Sequence, residues 1–112
     1  KKPGYAIVSL SMKKTGTPPG DVTDRQLEQI ADLADEYSFG EVRVTHQQNV
    51  VLADVRQDRL LELWEQLGPM GFGTANLNTL TDIICCPGGD FCALANAKSI
   101  PVADAIQRAL QA

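Results

Sequence analysis

Two short segments with strand-like sequences lie three residues apart, and this spacing constrains the fold of the chain more than any other feature. Residues 41–45 alternate between polar and apolar side chains, and residues 49–55 are mostly apolar. The connection His46-Gln47-Gln48 has the length of a tight turn or a bulge. We therefore expect the two segments to form neighbouring strands of an antiparallel sheet.

The sequence before this pair predicts one strand and one helix. Residues 5–12 form a nearly unbroken apolar run, which is typical of a strand. Residues 13–21 contain two glycines and two prolines and therefore predict a loop. Thr23 and Gln26 have the spacing of a capping box, which predicts a helix that begins at this point and ends near Gly40.

The second half of the chain predicts two further helices. Residues 56–67 form the first, and its apolar face contains Leu60, Leu61, Trp64 and Leu67. We expect Trp64 to lie in the core. A short extended stretch is expected at residues 80–85, and one or two helical turns at residues 93–98. The last helix begins near Pro101, and its expected apolar face contains Val102, Ile106 and Leu110.

This element order predicts the fold class. The pattern is β-α-β-β-α, followed by a cysteine-containing loop and a C-terminal helix. Short helices packed against one antiparallel sheet form an α+β sandwich. We find no internal repeat and no low-complexity segment.

Composition restricts the functions that the chain can serve. The 112 residues correspond to one domain or to a piece of a larger one. Ten Lys and Arg residues against fourteen Asp and Glu residues give a net charge of −4, which argues against nonspecific nucleic-acid or anionic-membrane binding. The apolar runs are much shorter than a membrane span. We interpret the chain, which does not begin with Met, as an internal segment of a cytoplasmic protein.

Three cysteines, Cys85, Cys86 and Cys92, lie within eight residues. This set does not resemble a disulfide framework, and we expect a metal or redox site; three partly buried thiols are the alternative. A Pro-Gly-Gly turn separates Cys86 from Cys92 and permits a tight wrap around a metal or cluster. We expect Cys92 to begin a helix, whose dipole favours the iron-binding thiolate. Cys85 points away from Cys86 in an extended segment and is expected in the core.

The remaining polar candidates have structural interpretations. His46 is the single histidine, and a zinc site would need a partner at short spacing, so we expect a solvated turn residue. Lys13 and Lys14 flank the first loop and are expected to be solvated. Arg43 and Thr45 lie on the polar side of their strand, where Arg could bind carboxylates. The pattern alone favours a solvated sheet face there.

Two motifs, in their order and separation, make the chain similar to the sulfite and nitrite reductase hemoprotein family. Residues 40–52 resemble the family's Gly-x-x-Arg-x-Thr-x-x-Gln-Asn strand pair, and residues 86–92 resemble its first cluster motif, Cys-x5-Cys. Within the family the closest resemblance is to bacterial assimilatory sulfite reductases. The resemblance implies a ferredoxin-like half-domain at residues 1–78 and the start of the siroheme and iron–sulfur cluster-binding domain at residues 79–112.

The resemblance also implies the residues that bind cofactors. Cys86 and Cys92 match the first two of four cysteine ligands of a four-iron four-sulfur cluster. Arg43 matches a position that approaches the siroheme carboxylates in the paired repeat. The other polar positions of the same motif are Thr45, Gln48 and Asn49. The family's second motif, Cys-x3-Cys, does not occur in this chain, so we expect both cofactors to be absent from the isolated segment.

For the full-length protein the resemblance implies six-electron reduction of sulfite to sulfide, or alternatively of nitrite to ammonia. The implied partners are the rest of its own chain, the oxyanion substrate, and a donor such as ferredoxin or an NADPH-dependent flavoprotein. The isolated segment is expected to be inactive. A cofactor-free ferredoxin-like interaction domain is a functional alternative of another class. If the family function holds, Arg43, Thr45 and the cysteine loop are expected to open toward the same side.

Overall fold

The computed structural model describes residues 2–111 and contains, within them, one three-stranded antiparallel sheet and three α-helices. The elements in chain order are β1 Tyr5–Leu10, α1 Asp24–Tyr37, β2 Arg43–Val44, β3 Val50–Arg56, a 3₁₀ turn Gln57–Arg59, α2 Leu60–Met70, a second 3₁₀ turn Gly88–Asp90 and α3 Ser99–Gln111. Strand β3 is central and pairs with both β1 and β2. The predicted α+β class and the β-α-β-β-α order are confirmed.

The start and end of α1 follow from the residues that the sequence indicates. The Thr23 hydroxyl accepts a hydrogen bond from the backbone N–H of Gln26 (3.1 Å), and the Gln26 side chain accepts one from the backbone N–H of Thr23 (2.9 Å). At the other end, the N–H of Gly40 bonds the carbonyl oxygen of Ala34 with a φ of 71° at the glycine. These contacts satisfy backbone groups that the helix leaves free, and the capping box and the helix end near Ser38 to Gly40 are confirmed. The C-cap residue is Ser38 rather than Gly40, and Phe39, with a φ of 54°, takes the left-handed position that follows it.

Helices α1 and α2 cover one face of the sheet and form the core with it. The buried apolar side chains are Leu10, Met12, Ile30, Leu33, Ala34, Tyr37, Val50, Leu52, Val55, Leu63, Leu67 and Phe72. Successive residues of a strand point to opposite faces, so Val51 lies on the face away from the helices. That face is open, and Ile7 on it is 62% exposed.

A bulge in β3 keeps its last apolar residue in the core. Ala6 of β1 pairs with Val55 while Val8 pairs with Leu52, so β3 carries one extra residue between the two pairs. A bulge of this kind frees a backbone N–H from the ladder. The N–H of Asp54 bonds the hydroxyl of Ser38, which follows α1, at 3.2 Å. The bulge therefore also ties the end of α1 to the central strand.

The prediction that Trp64 lies in the core is wrong. Trp64 is 63% exposed, whereas the buried residues of α2 are Leu63 and Leu67, with Leu60 partly buried beside them. Each helical residue is rotated by about 100° from the one before it. Leu60, Leu63 and Leu67 fall within a narrow sector, and Trp64 lies at its edge. The helix also continues through Pro69 to Met70 and ends at Gly71, which has a φ of 86°.

Helix α3 begins at Ser99 with Pro101 in its first turn, as expected, but it buries a different face from the predicted one. Val102, Ile106 and Leu110 are all about half exposed, and the buried residues are Ala103 and Gln107. The side chain of Gln107 donates hydrogen bonds to the carbonyl oxygens of Lys13 (2.7 Å) and Thr81 (3.1 Å). The buried face of α3 is displaced by one residue from the predicted face because the two hydrogen bonds of Gln107 hold that side chain in the interior.

The segment between α2 and α3 is less regular than predicted. Residues 80–85 form turns and irregular backbone, residues 93–98 form turns, and Cys92 does not begin a helix. Strand β2 is only two residues long, which is shorter than the predicted residues 41–45. The helix-dipole argument for a Cys92 thiolate therefore does not apply.

The prediction that Lys13 is solvated is also wrong, because Lys13 forms a buried ion pair with Asp82. Their side chains are 0% and 4% exposed, and Lys13 Nζ lies 3.0 Å from Asp82 Oδ1 and 2.8 Å from the carbonyl oxygen of Gln47. Asp82 also accepts hydrogen bonds from the Asn49 side chain (3.0 Å) and from the N–H of Asn78 (2.9 Å). Burial raises the pKa of Asp82, but these hydrogen bonds and the lysine charge together hold it below its ordinary value.

We expect Lys13→Met to destabilise the fold strongly and Lys14→Met to leave it unchanged. Removing one partner of a buried ion pair leaves the other charge unpaired, at a cost of about 3–5 kcal/mol. Lys14 is exposed and provides the matched control. Urea denaturation followed by circular dichroism measures both free energies of unfolding, and equal values for the two variants would contradict a stabilising role for the pair.

Acid gives a second measurement of the same interaction. Because the pKa of Asp82 is lower in the folded state than in the unfolded state, the carboxylate stabilises the fold above its ordinary pKa of about 3.9. This stabilisation is lost as the pH falls through the folded-state pKa. Asp82→Asn is expected to be less stable at neutral pH and to lose less stability on acidification, and a slope identical to that of the unmodified chain would contradict the assignment.

Candidate functional site

The turn between β2 and β3 is closed by Thr45. Its hydroxyl accepts hydrogen bonds from the N–H groups of Gln47 and Asn49, both at 3.2 Å, and its own N–H bonds the carbonyl oxygen of Asn49 at 2.9 Å. A threonine that accepts from nearby backbone groups stabilises a turn in this way. Thr45, Gln48 and Asn49, three of the predicted site residues, therefore belong to one small, ordered loop. His46 in the same turn is exposed, as predicted.

Asn49 is buried, and its amide is bonded on both sides. Its oxygen accepts from the N–H of Met12 (3.0 Å), and its nitrogen donates to Asp82 (3.0 Å). Asn49 therefore connects the end of β1 to the ion pair. Sequence analysis placed Asn49 at the site and did not identify the residues that surround it.

The residues that sequence analysis missed are the buried polar partners in the 76–82 segment and in α3. Asn76 accepts a hydrogen bond from the Ser11 hydroxyl (2.5 Å) and donates to the carbonyl oxygens of Lys13 and Thr81, both at 3.3 Å. Local pattern does not distinguish such residues from solvated ones. The available signal is the group of Asn76, Asn78 and Asp82 in a region without helical or strand periodicity, which is typical of side chains that bond loop backbone.

Gln48 joins this turn to the cysteine segment. Its side-chain nitrogen donates to the carbonyl oxygen of Cys85 at 2.7 Å, and its side-chain oxygen accepts from the N–H of Cys85 at 3.0 Å. Gln48 lines two neighbouring surface concavities: one of about 270 Å³ that it shares with Thr45, and one of about 150 Å³ that it shares with Cys85, Pro87 and Phe91. The turn and the start of the cysteine segment are therefore in contact.

The three cysteines differ in exposure. Cys85 is buried, Cys92 is half-buried and Cys86 is exposed. Burial, with a smaller contribution from neighbouring Cys86, raises the pKa of the Cys85 thiol, which makes it a poor nucleophile and a poor metal ligand. The expectation that Cys85 is a core residue is confirmed, and Cys86 is the more accessible of the adjacent pair.

The loop between Cys86 and Cys92 packs tightly against the start of α3. Gly88 has a φ of 61°, and a side chain there would lie 2.4 Å from the Ser99 hydroxyl and 2.7 Å from its backbone nitrogen. Gly89 donates its N–H to the carbonyl oxygen of Ala97 (2.8 Å), and Cys92 donates its N–H to that of Gly88 (2.8 Å). The glycines therefore allow a tight backbone bend that carries one cysteine at each end.

Arg43 lies apart from the cysteine segment. It pairs in register with Val51, so it projects on the open face of the sheet, and its guanidinium binds Glu41 at the surface. It lines a concavity of about 220 Å³ together with Lys2, Tyr5, Ala6, Ile7, Val51, Ala53 and Asp54, none of which belongs to the cysteine segment. Of the predicted cofactor-binding positions, the turn residues adjoin the cysteine segment, and Arg43 does not share their concavities.

The donor set in the described residues 2–111 is incomplete for a metal site. No group of three or more His, Cys, Asp or Glu side chains converges within that range. The two thiols of Cys86 and Cys92 are suitable iron donors, and a four-iron four-sulfur cluster uses four cysteines. Within the same range, none of the helices combines the length and the apolar character that a membrane span requires.

Comparison with known proteins identifies the class to which this fold and motif arrangement belong. Residues 10–70, more than half of the chain, match the nitrite/sulfite reductase ferredoxin-like half domain. The chain therefore belongs to the nitrite and sulfite reductase family, and the sheet with its two covering helices is a ferredoxin-like half domain. The suspected family membership is confirmed.

Some relatives of this chain are named as nitrite reductases and others as sulfite reductases. The ferredoxin–nitrite reductase of Synechococcus elongatus is 32% identical over 112 residues, which cover 100% of this chain and 21% of that protein. The chloroplastic ferredoxin–nitrite reductase of Oryza sativa subsp. japonica is 30% identical over 82% of this chain and 15% of its own length. Sulfite reductase [ferredoxin] 2 of Mycolicibacterium paratuberculosis is 30% identical over a match that covers 86% of this chain and 18% of that protein. The chain thus spans about a fifth of these relatives.

The exposures predict the order of thiol reactivity in the cluster-free chain. Cys86 is expected to react fastest with iodoacetamide, Cys92 more slowly, and Cys85 slowest because it is buried and its thiol pKa is raised. Timed alkylation followed by peptide mapping measures the three rates, with urea-unfolded chain as the control in which the rates converge. Fast labelling of Cys85 in the folded chain would contradict the structure of this segment.

Proposed function

We propose that the full-length protein reduces a small oxyanion, sulfite or nitrite, with six electrons, and that this chain supplies one side of its siroheme and cluster site. The observation that supports the proposal most directly is the cysteine bend. Two thiols outside the core stand at its ends, and its backbone is held against α3 and joined to the turn of the family motif.

Cys86 and Cys92 are proposed as two of the four cluster ligands, with the other two supplied by the rest of the protein. When bound, the siroheme and cluster supply the electron-transfer chemistry and hold the oxyanion. This chain's own task is to place two thiolates at a fixed separation. The tight bend at Gly88 suits that task because a side chain there would force the bend away from Ser99.

Arg43 is proposed to bind a siroheme carboxylate. Its guanidinium lies on the open face of the sheet and is paired only with Glu41 within the described residues, at 2.5 Å. A surface ion pair of this kind is worth little and is readily exchanged for a bidentate carboxylate contact. Thr45, Gln48 and Asn49 are proposed to serve the same cofactor site by fixing the shape of the turn and its distance from the cysteines.

The substrate and the electron donor are proposed from chemistry that the relatives share. Relatives named for nitrite and for sulfite match the chain at similar identity, so we propose the shared oxyanion reduction. Sulfite remains our first prediction from sequence. Ferredoxin is the proposed donor, because the names of several relatives include it. A cytoplasmic location is retained as a prediction, and some relatives are named as chloroplastic.

The rest of the protein is proposed to cover the apolar side chains that this segment leaves exposed. Trp64 and Leu61 on α2, and Phe91 and Leu94 beside the cysteines, are each more than 60% exposed. The relatives are several times longer than this chain, so they contain the chain length that such contacts need. We propose that residues 1–78 and residues 79–112 belong to two adjacent domains of one larger protein.

Replacing the two proposed ligands tests the cluster. In the full-length protein, Cys86→Ser and Cys92→Ser are each expected to abolish the visible absorption of the cluster and all reductase activity with a reduced viologen donor. Cys85→Ala is the matched control and is expected to keep both, because Cys85 is buried and is not proposed as a ligand. Assays with sulfite and nitrite side by side determine the substrate. A colourless unmodified protein would instead support the interaction-domain alternative.

Replacing Arg43 tests the siroheme contact. Arg43→Ala is expected to weaken siroheme retention by about tenfold or more, because a charge-assisted hydrogen bond contributes about 1.5–3 kcal/mol. Arg56→Ala is the control, since Arg56 is similarly exposed and forms the same type of surface pair with Asp58. Siroheme content after dialysis, measured by absorbance, compares the variants. Equal siroheme loss from both would contradict the assignment of Arg43.

A further inference from the structure

Gln48 makes a contact that its motif alone does not explain. Both polar atoms of its side-chain amide bond one peptide unit of the cysteine segment, the N–H and the carbonyl oxygen of Cys85, at 3.0 and 2.7 Å. The side-chain amide of Gln48 therefore forms the same pair of hydrogen bonds with Cys85 that a neighbouring β-strand residue would form through its backbone. Among neutral side chains, only an amide offers a donor and an acceptor in this arrangement, and glutamine has the length to span the gap.

The protein backbone is arranged to allow this contact. Gln48 has a φ of 59°, a left-handed conformation that is uncommon for residues other than glycine. A side chain at Gly20 would lie 2.9 Å from Gln48 Cβ, so the absence of one lets the first loop approach Gln48 closely. The N–H of Gln48 bonds the carbonyl oxygen of Thr45 at 3.2 Å. In this conformation the side chain of Gln48 reaches the backbone of Cys85.

We propose that Gln48 is the positioning residue for Cys86, and this inference rests on the proposed role of Cys86 as a cluster ligand. Cys86 lies between two held points in the chain. On one side Cys85 is buried and bonded to Gln48, and two residues beyond Cys86 the backbone of Gly88 is packed against Ser99. Gln48 supplies the only side-chain hydrogen bonds from the sheet region to this part of the segment within residues 2–111. It touches neither cluster nor substrate and acts through the backbone of Cys85.

The test uses the full-length protein with its cluster and compares two neighbouring glutamines. Gln48→Met keeps the length of the side chain and removes both hydrogen bonds. Gln47→Met is the matched control, because within the described part of the chain the Gln47 side chain forms no hydrogen bond. Release of iron to a ferrous chelator is expected to be about tenfold faster in Gln48→Met, the usual effect of losing an outer-shell partner. The electron paramagnetic resonance signal of the reduced cluster is expected to change in Gln48→Met alone.

A second readout follows the backbone directly. In cluster-free protein, hydrogen exchange at the Cys85 N–H is expected to be faster in Gln48→Met than in Gln47→Met, because the acceptor of that N–H is lost. Gln48→Glu keeps the shape of the side chain and the oxygen that accepts from the Cys85 N–H. It replaces the donor nitrogen with a carboxylate oxygen, which repels the carbonyl oxygen of Cys85. It replaces Gln48→Met if circular dichroism shows that the latter does not fold, and it is also expected to release iron faster than the unmodified protein.

The outcomes separate this inference from the proposed function. If Cys86→Ser retains the cluster, Cys86 is not a ligand, and the proposed function fails whatever Gln48 does. If Cys86→Ser loses the cluster while the Gln48 variants match Gln47→Met in iron release and resonance signal, the cluster assignment stands and the positioning role is overturned. Faster iron release with an altered signal in the Gln48 variants, and in them alone, supports the positioning role.

Discussion

The buried ion pair between Lys13 and Asp82 is the interaction on which the arrangement of this chain depends. Two charges removed from water are stable only if almost every polar atom around them is bonded. Here the lysine reaches Asp82 and the carbonyl oxygen of Gln47, and the carboxylate also accepts from Asn49 and Asn78. Because these groups come from the end of β1, the β2–β3 turn and the segment before the cysteines, pairing the charges fixes these three parts of the chain relative to one another.

The β2–β3 turn also connects the ion pair to the cysteine segment. Asn49 faces the ion pair, and its neighbour Gln48 bonds the backbone of Cys85. Regular secondary structure holds residues in place through repeated backbone hydrogen bonds, and within the described residues the stretch 83–87, at the start of the cysteine segment, forms no backbone–backbone hydrogen bond. A few side chains that bond backbone therefore take over that function. Gln48 and Asn49 of the family motif thus have a structural role in this chain, since they join the β2–β3 turn to the cysteine segment and to the ion pair.

The exposed apolar residues indicate how this segment relates to a larger protein. Trp64, on the helix that covers the sheet, is mostly exposed, and so are Phe91 and Leu94 beside the cysteine bend. The segment spans about a fifth of the length of its relatives. Single apolar side chains on a surface are common and need no explanation. Phe91 and Leu94, however, lie beside the cysteine bend, where apolar surroundings would shield a bound cluster from water.

Local sequence determined the elements of this protein, and tertiary structure determined which faces are buried. Thr23 and Gln26 set the start of α1, and the Arg-Thr-Gln-Asn strand lies within residues 10–70, which match the family. Both signals depend on near neighbours in the chain. The positions of Lys13, Trp64 and the α3 face were mispredicted. Burial depends on partners far away in the chain: Lys13 is buried because Asp82, sixty-nine residues later, neutralises it, and α3 turns toward the core because Gln107 bonds the carbonyl oxygen of Lys13. No pattern within a single helix or loop encodes such a partner.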